Sequence, residues 1–195
     1  MSIEIRRGTA EGLSQYARVS IAFEVTQVYD VTTRPGDRLD LIVRQLAEPY
    51  AKDYDAVGEP PTEWPRQFDI SPWSFFAAFE HGRRVGGATV ACRTPSLDML
   101  EGRHDLVVLW DIRVAPSARR RGVGAALFSA ATEWAAATGY QELKVETQNV
   151  NVPACRFYER HGCVLRSANR GMYAELPEEI QLLWYKRLAP VPESS

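Results

Sequence analysis

The chain has 195 residues, 45% of them hydrophobic, with 23 lysines and arginines against 25 acidic residues and a net charge of −2. That length suits one α/β domain with a full core, and the balanced charge excludes the global basic field of a nucleic-acid binder. No run of about 18 uninterrupted apolar residues occurs, and the first seven residues hold no apolar signal core, so neither a membrane span nor an evident secretory signal is expected. Cys92, Cys155 and Cys163 are odd in number and lack a Cys-x-x-Cys spacing. They point to no disulfide framework, no metal site and a reducing cytoplasm. His81, His104 and His161 lie far apart and read as surface residues.

In chain order, Ile3 and Ile5 alternate with polar neighbours up to Gly8, a short first strand. Thr9 is placed to cap a short helix through Tyr16, and Val19 to Val25 alternates at period two, as extended chain does. From Thr33 to Trp73 the pattern is irregular. It holds Pro35-Gly36, a helical piece over Leu39 to Ala51, then Pro60, Pro61, Pro65 and Pro72, so a loop-rich substrate wall is expected there. Phe75 to Phe79 and Val85 to Cys92 read as a hairpin turning at His81-Gly82-Arg83, and Leu106 to Val114 as a longer strand. Val123, Leu127, Ala130 and Trp134 recur on one face of a helix ending at Gly139. Leu143 to Thr147 is a strand, so the crossover from Val114 forms a βαβ unit with a parallel pair. Asn151-Val-Pro153 opens a second helix closed by Gly162, Cys163 to Arg166 and Ile180 to Leu188 supply the last strands, and residues 190–195 read as a flexible tail.

Chemistry concentrates where the Leu106–Val114 strand meets the following helix. After Pro116 come Arg119, Arg120 and Arg121, then Gly122 and Gly124, which let a ligand approach the backbone at a helix start whose first N–H groups lack intrahelical partners. Such a place attracts phosphate. The spacing is neither the dinucleotide fingerprint, since Leu127 stands where a third glycine belongs, nor a P-loop. Three arginines alone also suit a nucleic-acid patch, but glycines rather than aromatics follow them, which favours a small anion.

Arg119-x-x-Gly122-x-Gly124 resembles the pyrophosphate-binding loop of the GCN5-related N-acetyltransferases, the GNAT superfamily. Asn151-x-x-Ala154-x-x-Phe157-Tyr158-x-x-x-Gly162 resembles the second diagnostic segment of that superfamily, at the matching distance downstream. The run from Leu143 to Tyr158, Trp110-Asp111-Ile112 and Glu179 to Lys186 are similar to the streptothricin acetyltransferase group, with Ala22 to Val25 as a fainter echo. The resemblance covers Phe75 to Leu188. It departs at Cys163, where many relatives have Phe, and in the Pro-rich region from Val57 to Pro72, which leaves the acceptor open.

The resemblance implies an α/β (α+β) GNAT fold over residues 1–189 as a single domain, a mixed central sheet with antiparallel N-terminal strands and a splayed parallel pair, flanked by helices. It implies acetyl-CoA as co-substrate and no metal. Amides of Arg121, Gly122, Val123, Gly124 and Ala125 would hold the pyrophosphate, with Arg119 or Arg120 pairing to its oxygens. The backbone of Ile112, Arg113 and Val114 would bind the pantetheine like an added strand, and the Val114 N–H would polarise the thioester carbonyl. Asn151, Ala154 and Phe157 belong to the same cofactor set, although Asn151 equally suits a helix cap.

Acyl transfer also needs a proton for the leaving thiolate and a neutral amine. Tyr158 is the candidate acid, a phenol that ordinarily titrates at about 10 beside a thiol that does so at about 8.5, its plainer reading being a core aromatic. Asp111 and Glu146 are the candidate carboxylates for attracting and deprotonating a cationic amine, their plainer reading being ion pairs with Arg113 and Lys144. The cysteines lack a triad context, so direct transfer is expected. Three functions stay open: acetylation of a small cationic amine, most specifically streptothricin and hence antibiotic resistance; the same chemistry on a polyamine, aminoglycoside or protein amine; and an acyl-CoA sensor without turnover. Expected partners are a small-molecule amine and, by analogy with relatives, a second copy of the chain; neither nucleic acid nor membrane is expected.

Overall fold

The computed structural model describes residues 3–36, 38–58 and 60–189, so the tail expected at 190–195 lies outside the described residues. Within these, two units emerge: the described residues of 3–22, 53–143 and 188–189 in the first, those of 23–52 and 144–187 in the second.

In the first unit, strands β1 (Glu4–Gly8), β4 (Ser74–Glu80), β5 (Arg83–Ala91) and β6 (Leu106–Val114) stand side by side in that order, each antiparallel to its neighbour. The β4–β5 turn uses left-handed residues at His81 (φ 49°) and Gly82 (φ 74°), the geometry that matches strand twist in a tight hairpin. Phe75 and Phe76, adjacent on β4, serve opposite faces. Phe75 joins a core of Leu13, Tyr16, Trp64, Trp73 and Val108, whereas Phe76 meets Trp134 of helix α4 (Val123–Ala137) edge-on at 6.2 Å.

The short helix expected after Thr9 forms as a 3₁₀ turn and then α1 (Leu13–Tyr16), but Thr9 makes no side-chain cap bond. The expected α4 face is shifted. Val123, Leu127, Phe128, Ala131 and Ala135 are buried, while Ala130 and Trp134 are only half-buried flanks. Alanines are so frequent here that spacing alone leaves the phase of the helix undetermined.

In the second unit, β2 (Phe23–Arg34) and β3 (Arg38–Lys52) form a long antiparallel ribbon. This corrects the helix expected over Leu39 to Ala51. Leu39, Leu41 and Val43 alternate at period two, and the Pro49 ring would clash inside a helix. Pro49 also has no N–H for the ladder, and register shifts there, with Val25 opposite Tyr50 but Gln27 opposite Gln45. The irregular segment is therefore confined to residues 53–73, with short helices α2 (Tyr54–Val57) and α3 (Trp64–Gln67).

The ribbon is tied into its unit by Asn149. Its side chain donates to Tyr29 O (3.1 Å) and accepts from Ile180 N (2.8 Å), while its carbonyl accepts from Tyr29 N (2.9 Å). Buried Lys52 pairs with buried Glu179. Strands β7 (Glu142–Gln148, in this unit from Lys144), β9 (Gln181–Arg187) and β8 (Val164–Asn169) lie in that order, with β8 and β9 antiparallel. Helix α5 (Val152–Arg160) starts where expected and is followed by Gly162 at φ 79°.

Candidate active site

The start of α4 matches the sequence expectation in detail. Gly122 caps the helix at φ 85°, a conformation that a side chain strains, and it offers no side-chain acceptor to the first amides. No acidic residue occupies the first turn. The nearest heavy atom to a Cβ built on Gly122 is Ile3 Cδ1 at 4.0 Å, so the backbone at the helix start is not crowded at Gly122. A diphosphate fits this set: uncompensated N–H groups, the positive end of a 15-residue helix, and arginines before it.

The three arginines are not equivalent. Arg119 donates from Nε to Val114 O (2.9 Å) and from a terminal nitrogen to Ser20 O (3.3 Å), so it fastens the end of β6 rather than standing clear of the chain. Arg121 pairs with Glu80. Arg120 is exposed and sits at φ 59°. That Arg121 is engaged by Glu80 while Arg120 stands exposed at the loop tip is what the sequence could not single out.

Hydrogen bonding fixes which way β6 turns its backbone. Ala115 N donates to Val85 O at 2.8 Å, and Val114 lies opposite Gly86, Arg113 opposite Gly87 and Ile112 opposite Ala88. Because bonded and non-bonded pairs alternate along an antiparallel ladder, Ile112 and Val114 direct their N–H and C=O groups away from β5, and Arg113 directs its own toward it. Of the three residues expected to offer backbone to a ligand, two direct theirs away from β5, and of these the Val114 carbonyl already accepts from Arg119 Nε.

Asp111 and Arg113 form an ion network on the side-chain level. The ladder runs Thr89–Asp111 and then Val90–Leu109, leaving Trp110 as a bulge, so Asp111 does not continue the face of Leu109 as strict alternation requires. Asp111 accepts from Tyr16 Oη (2.8 Å) and pairs with Arg113, whose side chain is 1% exposed. Arg113 also holds Asp55 through both terminal nitrogens (2.8 and 3.1 Å), and Asp53 caps the helix that carries Asp55. The Arg113 guanidinium lies 4.9 Å from the Tyr16 ring centroid. Burial pushes the Asp111 carboxyl above its ordinary value against the pull of Arg113 and Tyr16, and burial beside Asp111 raises the Tyr16 phenol well above its own. The ion-pair reading of Asp111 therefore holds, and its partners Tyr16 and Asp55 left no signal in the sequence.

Glu146 differs. No ion pair holds it among the described residues, and the Lys144 ammonium lies 5.5 Å from the Tyr185 ring centroid. Its Oε1 accepts from Tyr173 Oη (2.6 Å) and Gln148 Nε2 (3.3 Å), and its Oε2 from Gln181 Nε2 (2.7 Å). Sequence reasoning misses Tyr173; Gln148 and Gln181 stand inside the motif segments.

Along α5, Asn151 Oδ1 accepts from Ala154 N at 3.2 Å, so the cap is real and occupies the side-chain oxygen of that candidate ligand. Phe157 stacks on His161 with ring centroids 4.1 Å apart and meets Tyr158 edge-on at 5.2 Å. Tyr158 is buried at 4% exposure, and Ala154 is half-buried. Cys155 is 1% exposed and burial pushes its thiol up to about 12; Cys163 is raised in the same way to about 11. Neither supplies a thiolate near neutral pH, in keeping with direct transfer.

Comparison with known proteins converges on one family. The acetyltransferase (GNAT) family model matches residues 42–163. Streptothricin acetyltransferase of Escherichia coli is 32% identical over 166 residues, covering 84% of this chain and 84% of that protein. Streptothricin acetyltransferase A of Bacillus subtilis (strain 168) is 39% identical over 77 residues, covering 38% of this chain and 44% of that protein. Among solved structures, a Bacillus anthracis str. Ames protein assigned as a streptothricin acetyltransferase, in complex with acetyl coenzyme A, matches with a TM-score of 0.77 at 24% identity over 97% of this chain and 100% of that one. The fold is thus the mixed α/β fold expected, mostly antiparallel strands flanked by helices. From its motifs, its elements in order and these likenesses, the chain belongs to the acetyltransferase (GNAT) family.

Proposed function

We propose that this acetyltransferase moves the acetyl group of acetyl-CoA directly to a primary amine of a small cationic acceptor, with streptothricin as the specific substrate and antibiotic resistance as the consequence. The observation that carries the acceptor class is Glu146, a half-buried carboxylate held by three neutral donors and by no cation among the described residues. The likeness to streptothricin acetyltransferases over 84% of the chain supports the specific acceptor.

Acetyl-CoA supplies an activated acyl thioester. The uncapped amides from Gly122 to Ala125 bind its diphosphate, and Arg120 adds charge at the loop tip. Ile112 and Val114 receive the pantetheine arm on backbone groups turned away from β5, and the Val114 N–H is the donor for the thioester oxygen. Glu146 draws in the acceptor as an ammonium ion and takes one proton from it, leaving the nitrogen lone pair free. As the C–N bond forms and the C–S bond breaks, the Tyr158 hydroxyl gives its proton to the departing sulfur, and the proton shed by the new amide nitrogen restores it through solvent. Exposed Ile42 and Val43 on β3 support the homodimer reading.

Thiol release from acetyl-CoA, followed with streptothricin, a polyamine, an aminoglycoside and a peptide amine, tests the reading. Streptothricin gives the highest kcat/KM, and CoA binding without acceptor-dependent thiol would refute enzyme function in favour of a sensor. Tyr158→Phe lowers turnover by about 10²–10⁴ and leaves the acetyl-CoA KM nearly unchanged.

A further inference from the structure

A carboxylate presents about four lone-pair sites, and Glu146 has three of them filled. Two of the donors, Tyr173 and Gln181, are themselves oriented. Tyr173 Oη accepts from Gln148 Nε2 at 2.9 Å, which directs the phenol proton to Glu146 Oε1. Gln181 lies directly opposite Asn169 in the β8–β9 ladder, and its amide oxygen accepts from Asn169 Nδ2 at 2.8 Å, so its NH₂ is the end that faces Glu146 Oε2. The carboxylate is thereby fixed in position while its charge is left without a counter-ion among the described residues. Desolvating such a charge costs free energy that hydrogen bonds from neutral groups offset only in part.

The geometry points to a cation subsite made of Glu146, Tyr173, Gln148 and Gln181, in which the acceptor's ammonium ion supplies the missing charge and donates to the remaining lone pair. Tyr173 and Gln181 are its positioning residues. They act through Glu146, and their neutrality is the selective feature: an arginine or lysine in either place would satisfy the carboxylate internally and compete with the substrate. The subsite favours primary ammonium groups on slender chains, because only one lone pair is open and a primary ammonium presents compact, rotatable donors. This inference rests on the acceptor reading above and adds how acceptor recognition is built.

The test is steady-state kinetics of thiol release with streptothricin and acetyl-CoA for the wild-type chain, Tyr173→Phe and Gln181→Leu. Each variant raises the acceptor KM by about tenfold to a hundredfold, the scale of one hydrogen bond to a charged group, while the acetyl-CoA KM and the thermal midpoint stay put. In the wild type the acceptor KM rises as salt goes from about 0.05 to 0.5 M, and in Glu146→Gln that dependence is lost. The salt series keeps the inference falsifiable if a variant folds poorly. Turnover with unshifted acceptor KM in both variants, or with a salt-independent KM in the wild type, overturns the subsite alone. Absence of any acceptor-dependent thiol release overturns the acceptor reading and the subsite with it.

Discussion

Asp111 and Glu146 are the same functional group on strands of the same kind, and the fold treats them oppositely. Asp111 is met by a buried guanidinium, which it shares with Asp55, and by the Tyr16 hydroxyl. Glu146 is met by a phenol and two amides. The first carboxylate has its counter-charge inside the protein and serves cohesion, anchoring α1 and α2 to β6. The second is oriented without being neutralised, which suits it to an external cation. What separates the structural acid from the one proposed to bind substrate is the charge of its partners, not its place on a strand.

Four substitutions sharpen or break that contrast. Glu146→Gln has the largest expected effect, a loss in kcat/KM of about 10²–10⁴ with little change in unfolding midpoint; Asp111→Asn shifts chiefly the midpoint. Equal kinetic losses with equal stability losses in the two variants would erase the distinction. Next comes Arg113→Met, which strands Asp111 and Asp55 side by side without their cation and lowers stability by about 3–5 kcal/mol in chemical denaturation. Stability unchanged or raised would show that the network is replaceable by packing. Smallest is Gly87→Ala. A Cβ there would meet the Tyr16 ring at 2.4 Å and Phe76 O at 2.8 Å, so the ring that holds Asp111 must shift, at a cost of about 1–3 kcal/mol. Acceptor KM is expected to stay constant in this variant, because Glu146 is held by Tyr173, Gln148 and Gln181.

Local chemistry made much of this protein legible. The left-handed cap at Gly122 follows from glycine before a helical pattern, the bond from Ala154 N to Asn151 follows from asparagine before Val-Pro, and the β4–β5 turn follows from His81-Gly82. Each depends on residues within one turn of chain, where sterics and hydrogen-bonding capacity leave few alternatives. The β3 strand reads wrongly from sequence because the helical and extended patterns overlap over Leu39 to Ala51; its pairing with β2 settles the matter, with Pro49 as the local clue against a helix.

By itself, then, the sequence determined the order of elements from β4 onward, the family motifs and the uncapped helix start, all written in short-range spacing. Only the tertiary structure decided which carboxylate is satisfied. Beyond Arg113 and Gln148, each two residues away, the partners of Asp111 and Glu146 come from far along the chain, Tyr16 at a separation of 95 residues, Tyr173 at 27 and Gln181 at 35. The bulge at Trp110 further changed the face on which Asp111 lies. Electrostatic character is set by neighbours in space, and no spacing rule along the chain says which side chains those will be.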